Sequence, residues 1–167
     1  GANGEGGGGG GGEVVVMPGG VATLGGLEET VGKLALAKVP LRIDSVLEPI
    51  GFGLAASVAR YMEVRRRFPD VEMLMGIGNL TELTDVDSAG VNVLLLAICQ
   101  ELQIRSVLTT QVINLARMSV KECDLARRLV FHSLRQRVPP THLEPGLVRL
   151  RDPKLLEYGQ EELDLLA

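Results

Sequence analysis

The chain has 167 residues, 46% of them hydrophobic and 23% charged, enough for one domain with its own core and ordinary for soluble composition. A net charge of −4 and a pI near 5.3 argue against a partner held by phosphate neutralisation, so no nucleic acid is expected. No apolar run approaches the ~20 residues that cross a bilayer, and no basic-then-apolar leader opens the sequence, so a cytoplasmic protein without a membrane partner is expected.

Residues 1–12 hold nine glycines and nothing that can be buried; they read as a flexible tract or linker, and suggest that an upstream segment is missing. From residue 13 a β-α pattern repeats. A β-branched run at 13–17 stops at Pro18-Gly19-Gly20, and residues 27–38 follow with helical spacing. A second strand is expected at 41–47 with a helix at 54–68, then a third strand at 71–77 with a helix at 88–102. The fourth strand falls at 105–109, and the fourth helix at 120–137, opened by Ser119-Val-Lys-Glu122, which reads as a capping box. Residues 139–167 read as a C-terminal extension with a short amphipathic helix at 155–166.

Four β-α units at 13–138 imply an α/β fold with a parallel sheet and right-handed crossovers. The repeat of roughly 30 residues fits either half of a (β/α)8 barrel or a small doubly wound sheet. Aromatic residues are 3% and Trp is absent, so Leu, Val, Ile and Ala must build the core. The basic runs Arg65-Arg66-Arg67 and Arg127-Arg128 read as solvated helix faces.

Ligands of parallel α/β folds bind beyond the carboxyl ends of the strands, which selects the candidates. The second strand offers Asp44, Glu48 and Gly51; the third Gly76, Gly78, Asn79 and Glu82; the fourth Thr109, Thr110, Gln111 and Asn114. Asp44 lies in an apolar strand, where a carboxylate is costly unless partnered. Either it accepts a ring N–H and an exocyclic amine from a ligand, or it accepts backbone amides or an arginine within the fold. Asn79 follows Gly76-Ile-Gly78, which allows close approach of backbone or ligand; on the residues alone a loop-capping role fits it better. Asp85 and Asp87 suit the start of the following helix.

Cys99 and Cys123 lack a CxxC spacing and read as free buried thiols in a reducing compartment. His132 and His142 have no ligand-spaced neighbours, so no metal site is expected. No nucleophile elbow, P-loop or dinucleotide fingerprint is present, and the residues alone name no reaction.

Two segments carry a resemblance. Arg42-Ile-Asp-Ser-Val-Leu-Glu-Pro-Ile-Gly-Phe-Gly53 is similar to the sixth-strand region of the pterin-binding barrels, which comprise dihydropteroate synthases and methyltetrahydrofolate–corrinoid methyltransferases. Met73-Leu-Met-Gly-Ile-Gly-Asn-Leu-Thr-Glu-Leu-Thr84 resembles the methyltransferase run of a strand followed by Gly-x-Ser-Asn. Both look most like the dihydropteroate synthase-related proteins of tetrahydromethanopterin-using bacteria. The resemblance implies strands five to eight of a (β/α)8 barrel, a fold that needs about 250 residues when whole. It implies a reduced pterin of tetrahydromethanopterin or folate type as ligand or substrate in one-carbon metabolism, and no further cofactor.

Carried over by position, Asp44 would hold the amino-pyrimidinone edge and Asn79 would contact the pterin, with Gly76, Gly51 and Glu48 beside them. Glu82, Thr109, Gln111 and Arg117 are secondary candidates. An enzyme of this kind would be a transferase, yet the segments after the third and fourth strands lack the Ser-Arg-Lys and Arg-x-His elements with which the synthases hold anions. A non-catalytic binding or assembly module is therefore the second expectation. The third is a partner for the open sheet edges, either a missing N-terminal half-barrel or another copy.

Overall fold

The computed structural model describes residues 12–19 and 24–148; the glycines before residue 12 and the helix expected at 155–166 lie outside them. In chain order the elements are β1 (Val14–Val16), α1 (Leu27–Leu36), β2 (Leu41–Asp44), α2 (Leu54–Arg67), β3 (Glu72–Gly76), a single turn α3 (Gly78–Thr81), α4 (Ser88–Glu101), β4 (Ser106–Leu108) and α5 (Ser119–Gln136). The strands form one sheet in the order β1-β2-β3-β4, every neighbouring pair parallel. Strand order never reverses, so these four strands contain no topological switch point of the doubly wound kind.

Alternation along the strands divides the sheet into two unlike faces. Ile43, Met73 and Met75 are fully buried, and with Leu27, Tyr61, Val64, Leu95 and Cys99 they form the core. Each such apolar side chain contributes about 1.5–3 kcal/mol by leaving water. The opposite face carries Val15, Arg42, Asp44, Leu74 and Ser106, as the in-register pairing requires. Across it, the Arg42 Nε donates to Glu13 Oε1 at 2.7 Å and its Nη1 donates to the Ser106 hydroxyl, so one side chain ties together the β1, β2 and β4 regions.

Before β3 and β4, Arg65 near the end of α2 donates to the carbonyls of Leu102, Phe68, Pro69, Val71 and Gln103. The α2–β3 and α4–β4 turns are thereby fastened to one guanidinium. Asp87 caps α4 by accepting from the Ala89 amide at 3.2 Å, the helix-start role its position suggested.

The capping box expected at Ser119–Glu122 does not form. Helix α5 begins one residue earlier than expected, Met118 takes the N-cap, and no side chain caps it. Ser119 and Glu122 instead turn towards α4. Glu122 Oε2 accepts from the Ser88 hydroxyl at 2.6 Å and from Asn92 Nδ2 at 2.9 Å, while Ser119 accepts from Asn92 at 3.0 Å and pairs with Thr109. A buried carboxylate needs several donors, and the α4–α5 interface supplies more than a cap would.

Cys99 and Cys123 are free and buried. Burial pushes the Cys99 thiol up to about 12, with Cys123 adding in the same direction, and pushes Cys123 up to about 11 against a hydrogen bond with Ser119. Both are therefore protonated near neutral pH, and only the thiolate is nucleophilic. A disulfide reagent such as DTNB at pH 8 is expected to label neither cysteine rapidly in the native protein and both in denaturant; fast native labelling would contradict this burial.

Candidate functional site

Asp44 ends β2 on the face opposite the core and is half-buried. Its Oδ1 accepts two hydrogen bonds, from the Val46 amide at 2.9 Å and from the Tyr61 hydroxyl at 2.5 Å. Among the described residues Oδ2 accepts none. A Cβ added at Gly76, two positions beyond Asp44's partner Leu74 on β3, would stand 3.6 Å from Oδ2. With no side chain at Gly76, the space beside this oxygen on the β3 side is left unfilled by that residue.

The loop after Asp44 is strained. Val46 has φ +64°, a left-handed conformation that a β-branched residue adopts at a cost of about 1–3 kcal/mol. Arg60, buried on α2, holds it there: Nε donates to the Ser45 carbonyl and an Nη donates to the Val46 carbonyl, both at 2.6 Å. The same guanidinium lies 3.9 Å from Glu48 Oε1, so the Glu48 carboxylate faces a cation of its own chain. Ser57 completes the support by accepting from the Glu48 amide at 3.1 Å and donating to the Leu54 carbonyl at 2.7 Å. Gly51 and Gly53 make the exposed turn into α2 at φ +88° and +109°, values that favour glycine.

Neither Arg60 nor Tyr61 was singled out from the sequence. The signal was there in the spacing: Ser57, Arg60, Tyr61 and Val64 follow the i, i+3, i+4, i+7 stripe that a helix buries, and three of the four are polar. Replacing Arg60 with Ala strips one buried and one partly buried carbonyl of this donor. Urea denaturation of Arg60→Ala is expected to show a loss of about 2–4 kcal/mol, and a loss below about 0.5 kcal/mol would refute the support assigned to it.

A cleft of about 250 Å³ opens beside Asp44 at the tips of β3 and β4, lined by Gly76, Gly78, Asn79, Glu82, Leu83, Leu108 and Thr110. Asn79 is exposed in α3, and its Nδ2 donates to the Leu47 carbonyl at 3.2 Å, tying the cleft to the β2–α2 loop. A Cβ at Gly78 would come within 3.1 Å of Thr110 Oγ1, so the β3 and β4 connections meet there more closely than a side chain permits comfortably.

Glu82 is spent on the fold. Oε1 accepts from the Thr110 hydroxyl and the Val112 amide, each at 2.9 Å, and Oε2 accepts from the Ile113 amide at 2.8 Å. Burial raises its carboxyl, but the amides of Val112 and Ile113 and the Thr110 hydroxyl outweigh burial and hold it below the ordinary carboxylate range. A lowered folded value means that this contribution is complete above the unfolded value of about 4.3 and is lost as pH falls through the folded one. Urea midpoints measured against pH are expected to fall below about pH 4 more steeply in the native protein than in Glu82→Gln; parallel profiles would sink the assignment.

Of the other candidates, Thr109 pairs with Ser119 at 2.8 Å beneath the rim, Gln111 is exposed in the loop that Glu82 clasps, and Arg117 is exposed after the short 3-10 turn Asn114–Ala116. The structure thus gathers Gly76, Asn79 and Glu82 around one cleft, while Asp44 does not line it and borders it through Gly76. It leaves Glu48 and Gly51 in the supporting loop.

No family model matches the chain, and no solved structure does. The chain is similar to the uncharacterized protein MJ0107 of Methanocaldococcus jannaschii, with 32% identity over 135 residues. That stretch is 78% of this chain and 26% of the archaeal protein, so the chain spans about a quarter of its relative's length. Among the described residues no helix is long and apolar enough to cross a membrane, and no three His, Cys, Asp or Glu side chains gather as metal ligands.

Proposed function

We propose that this chain is part of a pterin-binding (β/α)8 barrel related to dihydropteroate synthases, acting on a tetrahydromethanopterin- or folate-type ligand in one-carbon metabolism. The observation that carries the reading is Asp44: a carboxylate at a strand tip, with one oxygen held by the protein and the other left beside Gly76 and the Asn79 cleft. The N–H groups of an amino-pyrimidinone edge suit such an acceptor. The unreversed parallel strand order supports a barrel wall in preference to a doubly wound sheet. In a whole barrel the uncovered face, with Arg42 and Leu74, would be the interior, and a further half-barrel or a second copy would close it.

One observation favours binding without synthase chemistry as a second reading. Residues 73–84 and 106–116 contain no Lys, Arg or His, and the carboxylate of Glu82 stands where an anion-holding cation would be wanted. On this reading the protein binds a reduced pterin and turns over neither a pterin pyrophosphate nor a methyl donor; measured turnover would exclude it.

Titration calorimetry of the full-length protein with tetrahydromethanopterin and tetrahydrofolate tests the proposal. Asp44→Ala is expected to weaken binding by at least about a hundredfold, a loss of about 2.7 kcal/mol; no binding by the wild-type protein would remove the pterin reading. Gly76→Ala gives a second check. Its methyl group sits in ordinary van der Waals contact with Asp44, so the unfolding midpoint should hold while affinity falls at least about tenfold. Equal affinity in this variant would show that the ligand does not approach past Gly76.

A further inference from the structure

Tyr61 stands in the middle of α2 with no accessible surface. Its ring packs in the helix-side core beside Val64, Met75 and Cys99, a place that phenylalanine would fill equally well. The hydroxyl is the costly part, since a buried phenol needs a partner, and its partner is Asp44 Oδ1 at 2.5 Å. That oxygen also takes the Val46 amide. An ionised carboxylate oxygen offers roughly two lone-pair sites, and on Oδ1 both are used.

We propose that Tyr61 is a positioning residue: its hydroxyl locks Asp44 Oδ1 to the protein and turns Oδ2 towards Gly76 as the carboxylate's one ligand-facing acceptor. The reading rests on Asp44 being the ligand-binding carboxylate. It changes the chemistry expected of that contact. A planar N–H edge cannot straddle both oxygens of Asp44 and must place its donors on Oδ2 alone. Burial, followed by the charge of Asp44 and the hydrogen bond to it, outweighs a backbone hydrogen bond from Gly76 and pushes the Tyr61 phenol well above its ordinary range, so it is protonated near neutral pH. Arg60, the preceding residue of α2, holds the carbonyls of Ser45 and Val46 and so fixes the second donor to Oδ1 as well.

The test has one arm without ligand and one with it. Proton NMR of the full-length protein should show a slowly exchanging, strongly downfield hydroxyl resonance, lost in both Tyr61→Phe and Asp44→Asn. Its absence from the wild-type spectrum overturns the inference whether or not any pterin binds. With 6-methyltetrahydropterin as the probe, Tyr61→Phe should bind about tenfold more weakly than wild type. Unchanged affinity overturns the inference and leaves the pterin reading intact. Tighter binding overturns it too, because a carboxylate freed to grip with both oxygens would give that result. Failure of the wild-type protein to bind the probe removes the pterin reading, and the resonance then decides the role of Tyr61 by itself.

Discussion

The Arg60 guanidinium, buried beneath the β2–α2 loop, is the constraint on which the candidate site depends. Two carbonyls facing the protein interior end on it, and one belongs to Val46, whose left-handed backbone would relax without it. The Val46 amide reaches Asp44 only because the loop is bent in this way. Tyr61, the next residue on the same helix, supplies the other donor to that carboxylate. A polar stripe on one helix therefore does for Asp44 what a metal or a second chain does elsewhere: it determines which oxygen is available.

The neighbouring cleft is built on a different plan. Its walls are held by bonds between successive units, with Asn79 on the Leu47 carbonyl and Glu82 on the amides of Val112 and Ile113. Glycine at 78 allows those connections to approach each other. Beneath them, Glu122 joins α4 to α5 and leaves Thr109 paired at the tip of β4. The rim is thus a chain of carboxylates and amides, each binding the next loop along.

The strand tips were legible in the sequence because an alternating apolar run has only one end at which a carboxylate can escape the core. The second strand, expected to run to residue 47, ends three residues sooner at Asp44, where the left-handed Val46 turns the chain, while the close approach expected at Gly78 is met by Thr110. Helices α2, α4 and α5 could be located to within a residue or two because their apolar stripes are long. The turn α3 leaves no signal in the sequence, because four residues containing glycine and asparagine carry no period. The roles of Arg60, Glu82 and Glu122 were hidden for another reason. Their partners lie 14 to 34 residues away in the chain, and local pattern does not encode which distant donor a carboxylate will meet.

The span of these bonds bears on how the protein can be recombined. Both hydrogen bonds to the Asp44 carboxylate, and the guanidinium behind them, come from a single β-loop-helix unit running from Leu41 to Arg67. Moved as one piece into another parallel scaffold, that unit would bring its carboxylate, its strained loop and its buried phenol with it. The cleft around Asn79 and Glu82 has no such autonomy, because each of its bonds crosses a unit boundary. A crossover placed between α2 and β3 would keep the carboxylate poised and dismantle the pocket next to it.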